Sequence, residues 1–96
     1  MTDVVRVEDN PEAHRYEVFV DDELAGFAEY HDTPGVRTMY HTVVDPSFGG
    51  RGIGGKLAAA ALDDVRAKGL AVVPTCPFIA AFIQRNPDYA DLLRTV

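Results

Sequence analysis

From Phe48 to Lys56 the chain reads Phe-Gly-Gly-Arg-Gly-Ile-Gly-Gly-Lys, with five glycines in the seven residues Gly49 to Gly55. With no side chains in the way, backbone amides in such a run can converge on one point. A segment of helical periodicity follows directly, and the first amides of a helix carry partial positive charge. Arg51 and Lys56 add full charges. The chemistry that suits this composition is capture of an anion, most naturally a phosphate or pyrophosphate.

Two phosphate motifs come close and each lacks a required residue. Gly50-x-Gly52-x-x-Gly55 has the dinucleotide spacing, but no Asp or Glu lies between Gly69 and Ala81 to hold a ribose. Gly50 to Lys56 follows most of the nucleotide-triphosphate loop, yet Leu57 stands where Ser or Thr must reach magnesium.

Outside the loop, two residues are candidates for chemistry. His41 carries an imidazole, the side chain that titrates nearest neutrality, and is a candidate base. On a regular strand Met39, His41 and Val43 share one face, with Tyr40 on the other as core or pocket wall. Cys76 precedes Pro77, at the mouth of a segment whose amide dipoles could activate a thiol, and burial as a small hydrophobe is the equal alternative. Glu29 and His31 read as solvent-facing charges and Tyr89 as a packing residue. The three histidines and one cysteine are scattered, so neither a metal site nor an internal disulfide is expected.

These residues need elements to hold them. Val4 to Glu8 and Arg15 to Val20 read as strands, with Tyr16, Val18 and Val20 alternating against Arg15, Glu17 and Phe19. Asp21-Asp22-Glu23 predicts a tight turn, Leu24 to His31 the returning strand, Asp32 to Gly35 a second turn, and Val36 to Val44 a fourth strand. Asp45-Pro46-Ser47 ends it. A helix opens at Gly52 or Gly54, runs to Lys68 and stops at Gly69. Its apolar face is Ile53, Leu57, Ala58, Ala61, Leu62 and Val65, with Lys56, Asp64 and Lys68 outside. Leu70 to Thr75 is a short apolar run suited to a buried strand reached by that crossover helix, and Pro74 leaves one side of it unpaired. Pro77 predicts a helix over Phe78 to Arg85, and Asn86-Pro87 a last one over Asp88 to Arg94. The expected class is α/β (α+β): a mostly antiparallel sheet, one crossover helix and two C-terminal helices.

Ninety-six residues, 47% of them apolar, make one domain with a single core. A formal charge of -6 disfavours nucleic acid as a partner. No apolar run approaches membrane-spanning length and no secretion signal opens the chain, so a cytoplasmic protein is expected, without a membrane partner.

The loop Gly49-Gly50-Arg51-Gly52-Ile53-Gly54 resembles the Q/R-x-x-G-x-G/A pyrophosphate loop of the GNAT superfamily of N-acetyltransferases. With Tyr40-His41-Thr42, Thr75-Cys76 and Asn86-Pro87, the chain is similar over roughly residues 15 to 90 to small stand-alone N-acetyltransferase-domain proteins. The resemblance implies a single GNAT-like acyl-coenzyme A binding domain over 1–96, with its sheet splayed at a central pair, here Val36 to Val44 and Leu70 to Thr75. It implies acetyl-coenzyme A as co-substrate, with Val43 and Val44 along the pantetheine and the loop (Gly49, Gly50, Arg51, Gly52, Ile53, Gly54, Gly55, Lys56) at the pyrophosphate. It further implies direct transfer of acetyl to an amine, on a small molecule or a protein lysine. The chain departs from the family at three points. Gly49 replaces the usual Gln or Arg, the N-terminal helices of the acceptor pocket are expected to be missing, and the usual strand glutamate and helical tyrosine are replaced by Tyr40 or His41 and by Phe82 or Ile83. A non-catalytic acyl-coenzyme A binding or interaction module is the alternative.

Overall fold

The structure, a computed structural model, describes residues 4–94. Four antiparallel strands follow one another, β1 (Val5–Asn10), β2 (Arg15–Val20), β3 (Glu23–Thr33) and β4 (Val36–Val44). A 3-10 turn over Pro46–Phe48 leads to helix α1 (Ile53–Ala67), then to β5 (Ala71–Pro74), α2 (Pro77–Arg85) and a closing 3-10 helix, Pro87–Leu92. The sheet order is β1-β2-β3-β4-β5, with β5 parallel to β4, as a crossover helix requires. The α+β class and the mostly antiparallel sheet are as expected from the sequence.

Local chemistry accounts for most of these bounds. Asp21 and Asp22 have φ of 50° and 69°, the mirror-image turn whose twist suits a two-residue hairpin, and Asp tolerates that region better than most residues. Tyr16, Val18 and Val20 point inward to meet the α1 stripe of Ile53, Leu57, Ala58, Ala61, Leu62 and Val65, all buried. β1 reaches Asn10 rather than Glu8 because Asp9 and Asn10 pair with Tyr16 and Arg15. β3 likewise extends to Thr33, opposite Val36.

The register of β4 corrects one expectation. Glu29 pairs with His41 but Tyr30 pairs with Met39, so Tyr40 is an extra residue, a β-bulge. The bulge breaks the alternation. Met39 is buried beside Tyr30, whereas His41 and Val43 pair with Glu29 and Phe27 on the outer face, and Tyr40 is 47% exposed. Met39 and His41 therefore do not share a face, and Tyr40 is not core.

A second departure concerns charge. Arg37 is 6% exposed, its guanidinium stacked over the Tyr30 ring at 3.8 Å. It donates bidentately to Asp32 (2.8 and 2.9 Å) and to the Tyr16 hydroxyl (2.7 Å). Tyr16 donates to Asp64 at 2.7 Å, so Asp64 does not simply face solvent. Lys68 donates to both Asp64 and Asp9, and the Tyr30 hydroxyl also donates to Asp9. This network fastens the C-terminal end of α1 to four strands, leaving the other end of the helix for the site.

The last predicted helix also ends early. Leu93 forms a parallel bridge to Val72 and the Arg94 amide donates to the Val72 carbonyl, which pulls the chain out of helix after Leu92.

Candidate functional site

Strands β4 and β5 pair only from Val36–Ala71 to Met39–Pro74. Pro74 has no amide hydrogen to continue the ladder, and the Cys76 amide closes it on the Met39 carbonyl at 3.0 Å. Beyond that point the two strands part, leaving Tyr40 to Val44 without a β5 neighbour. The splayed pair foreseen in the sequence is thus present, but at the edge of the sheet rather than its centre, because β5 is the last strand.

At the mouth of the gap the chain turns into α1. Gly52, at the N-cap, has φ of 70° and Gly50 has φ of 80°, a region that L side chains rarely adopt. No side chain caps the helix. The first amide bonded back to the N-cap is that of Lys56, to the Gly52 carbonyl at 3.1 Å, so the amides of the first turn have no capping acceptor among the described side chains. Before the loop, hydrogen bonds from the backbone and hydroxyl of Ser47 hold the Asp45 carboxyl below its usual range and tie the Pro46–Phe48 turn.

An open cleft of about 400 Å³ lies here. Val44 and the five loop glycines form one wall, Phe48 and Ile53 lie beneath, and Phe78, Phe82, Arg85 and Asn86 of α2 and its end form the other wall. The helices approach closely: a Cβ on Gly54 would come within 2.8 Å of Phe78 Cζ. The cleft is aromatic along α2, with Arg85 and Asn86 at the end of that wall, rich in amides on the loop side, and open to solvent, a shape suited to an elongated ligand with an anionic part.

The other candidates take separate places. Arg51 lies over the Phe48 ring at 5.6 Å and lines an adjoining depression with Val20, Asp21 and Glu23. Lys56 is exposed on the first turn of α1, outside the cleft lining. Val44 faces the cleft, and Val43 lines the opposite side with Leu24 and Phe27. Cys76 is buried where β4 and β5 part, its thiol donating to Thr42 Oγ1 at 3.4 Å. His41 stands on the outer face, edge-on to Phe27 with ring centroids 6.3 Å apart. The bulge thus puts the imidazole and the thiol on different sides of the sheet. Sequence reasoning passed over the α2 wall, although Phe78, Phe82 and Arg85 have the i, i+4, i+7 spacing of one helix stripe. Tyr89 packs against Phe82 and donates to Asp63.

Among the described residues no helix is long and apolar enough to cross a membrane. The family model for GCN5-related N-acetyl-transferases matches residues 15–92. Comparison with curated proteins found no match. Among solved structures, a candidate GCN5-like N-acetyltransferase from Staphylococcus aureus superposes with a TM-score of 0.71 at 18% identity, over 95% of this chain and 89% of that one. A candidate GNAT-family acetyltransferase from Desulfovibrio desulfuricans gives 0.55 at 28% identity, over 79% of this chain and 52% of that one. A ribosomal-protein-alanine N-acetyltransferase from Brucella melitensis biovar Abortus gives 0.58 at 19%, over 85% of this chain and 62% of that one.

Proposed function

The chain belongs to the GCN5-related N-acetyltransferase family, and we propose that it binds acetyl-coenzyme A in the cleft between the glycine loop and α2 and transfers the acetyl group to an amine. The observation that carries this reading is the coincidence of two features at one point. The uncapped, glycine-lined start of α1 offers amides to a pyrophosphate, and β4 and β5 part beside it to admit an extended chain. Amides of Gly50, Gly52, Ile53, Gly54 and Gly55 hold the pyrophosphate, while the Gly49 amide, bonded to the Pro46 carbonyl at 3.0 Å, shapes the turn. Arg51 and Lys56 supply positive charge at the rim, and Val44, rather than the outward-facing Val43, flanks the pantetheine path.

Transfer then proceeds by direct attack. The amine nitrogen forms a bond to the thioester carbonyl carbon, the carbon–sulfur bond breaks, and the thiolate leaves with the electron pair. The amine must give up a proton, and because His41 stands on the outer face, away from Cys76, it serves as base for an amine that reaches the gap between β4 and β5 from that face. Cys76, against Thr42 where the strands part, lines the thioester pocket. The acceptor is an amine of a small molecule or a protein lysine, and the site of reaction is cytoplasmic.

Thermal melting tests the ligand. Acetyl-coenzyme A at a hundred times its dissociation constant should add about 2.7 kcal/mol of stability, and ATP or NAD should add none. Equal stabilisation by all three would reduce the cleft to a generic phosphate cradle. A panel of polyamines, amino acids and lysine peptides then tests transfer. Tight cofactor binding with no acetylated product would make the chain a binding module instead.

A further inference from the structure

Arg85 is the charged side chain among the residues that line the cleft, and it stands on the wall facing the glycine loop. It makes no ion pair with a described residue, whereas Arg6, Arg15, Arg37 and Arg66 each pair with a carboxylate. Its polar neighbour on that wall is already committed: Asn86 Nδ2 donates to the Phe82 carbonyl at 2.8 Å, closing the end of α2. The Arg85 guanidinium is thus the group on this wall with donors to spare for a ligand.

Its place along α2 says which part of a ligand it would meet. Phe78 lies against Gly54 and Phe82 faces Gly55, so both rings stand opposite the first turn of α1. Arg85 lies seven residues beyond Phe78, about 10 Å along the helix axis. An anion held by the first-turn amides thus lies opposite Phe78 and Phe82, and Arg85 is offset from those rings toward the end of α2. Coenzyme A carries a second anion, the phosphate on the 3′-oxygen of its ribose, separated from the pyrophosphate by the sugar. Resting on the reading of the cleft given above, we propose that Arg85 binds this 3′-phosphate and makes the protein selective for coenzyme A over ligands that lack it. Guanidinium suits the task because its planar fork bonds two phosphate oxygens at once.

Titration calorimetry of the wild type, Arg85→Ala and Arg85→Lys with coenzyme A and with 3′-dephospho-coenzyme A tests the assignment. Arg85 is exposed at the last turn of α2, so the variants should fold, as their melting curves will report. The wild type should bind coenzyme A about tenfold more tightly than the dephospho form, the effect of one charge-assisted contact. Arg85→Ala should bind both ligands with the affinity the wild type shows for the dephospho form, and Arg85→Lys should recover part of the gap. Rising salt should narrow the gap in the wild type. Equal weakening of both ligands by Arg85→Ala would overturn the proposal, assigning Arg85 to the pyrophosphate or the cleft wall. A wild type that does not distinguish the ligands would overturn it too. Failure of the wild type to bind either ligand would instead strike the reading of the cleft itself, and the role of Arg85 would fall with it.

Discussion

Thr42 and Cys76 meet where β4 and β5 part, with the thiol 3.4 Å from the threonine hydroxyl and almost wholly buried. A thiol so placed is within reach of a thioester that enters the gap, but direct attack by an amine needs no enzyme nucleophile. Acetyl-coenzyme A should therefore slow alkylation of Cys76 without adding an acetyl mass to the protein, and Cys76→Ala should keep most of its activity. An acetyl adduct that disappears in Cys76→Ser would make the residue a nucleophile. Alkylation at one rate with and without the cofactor would remove it from the site.

His41 faces away from α1 because of the bulge at Tyr40. If it takes the proton of the amine, His41→Ala should lower kcat about a hundredfold or more while leaving acetyl-coenzyme A affinity unchanged. Steady-state kinetics with calorimetry would separate the two quantities. An unchanged kcat would show that the base lies elsewhere or that the amine arrives deprotonated.

Substitution in the loop should abolish binding more than folding. Gly52→Asp places a negative charge at the start of α1 and forces a side chain into φ of 70°, at about 1–2 kcal/mol. Acetyl-coenzyme A should no longer raise the melting temperature of this variant, although the circular dichroism spectrum stays native. Gly54→Asp should act alike, with the added displacement of the Phe78 ring. Undiminished affinity in either folded variant would show that the loop does not hold the pyrophosphate.

The Arg37 network should set the pH range of stability. Hydrogen bonds from Arg37 hold the Asp32 carboxyl below its usual range. Burial pushes Asp64 the other way, but bonds from Lys68 and Tyr16 outweigh it and leave that carboxyl low as well. Both contributions are complete above the unfolded value of about 3.9 and are lost as pH falls through the lower folded values. Burial first, then the bonds to Asp64 and Asp9, push the Tyr16 and Tyr30 hydroxyls far above the usual range. Their contribution is present below about pH 10 and is lost above it, because the unfolded chain gives up those protons first. Urea midpoints should therefore be level between about pH 4 and 10 and fall on either side. Arg37→Met should cost about 2–3 kcal/mol at pH 7, since it strands carboxylates that are only part-exposed, and should flatten the acid limb. An acid limb as steep as that of the wild type would show that other carboxylates govern it.

Much of this protein is legible in the sequence because its signals are short-ranged. Residues 15–20 and 36–44 bound β2 and β4 as observed, and the six apolar positions of α1 are the six that are buried. Alternation, turn residues and helical spacing act over a few neighbours, and the glycine run marks its own loop whatever surrounds it. Other features depend on partners distant in the chain. The bulge at Tyr40 exists only against β3, and it alone decides that Met39 faces α1 while His41 faces away. Arg37 is buried because Asp32, Tyr16 and Tyr30 converge on it from two other strands, compensating a charge that its own strand pattern would leave in water. The wall of Phe78, Phe82 and Arg85 becomes part of a cleft only when α2 packs on the glycines of α1. Leu93 leaves the last helix because the Val72 backbone offers it a bridge. Backbone pairing and charge compensation between remote segments belong to the tertiary structure, since the local sequence holds only one member of each pair.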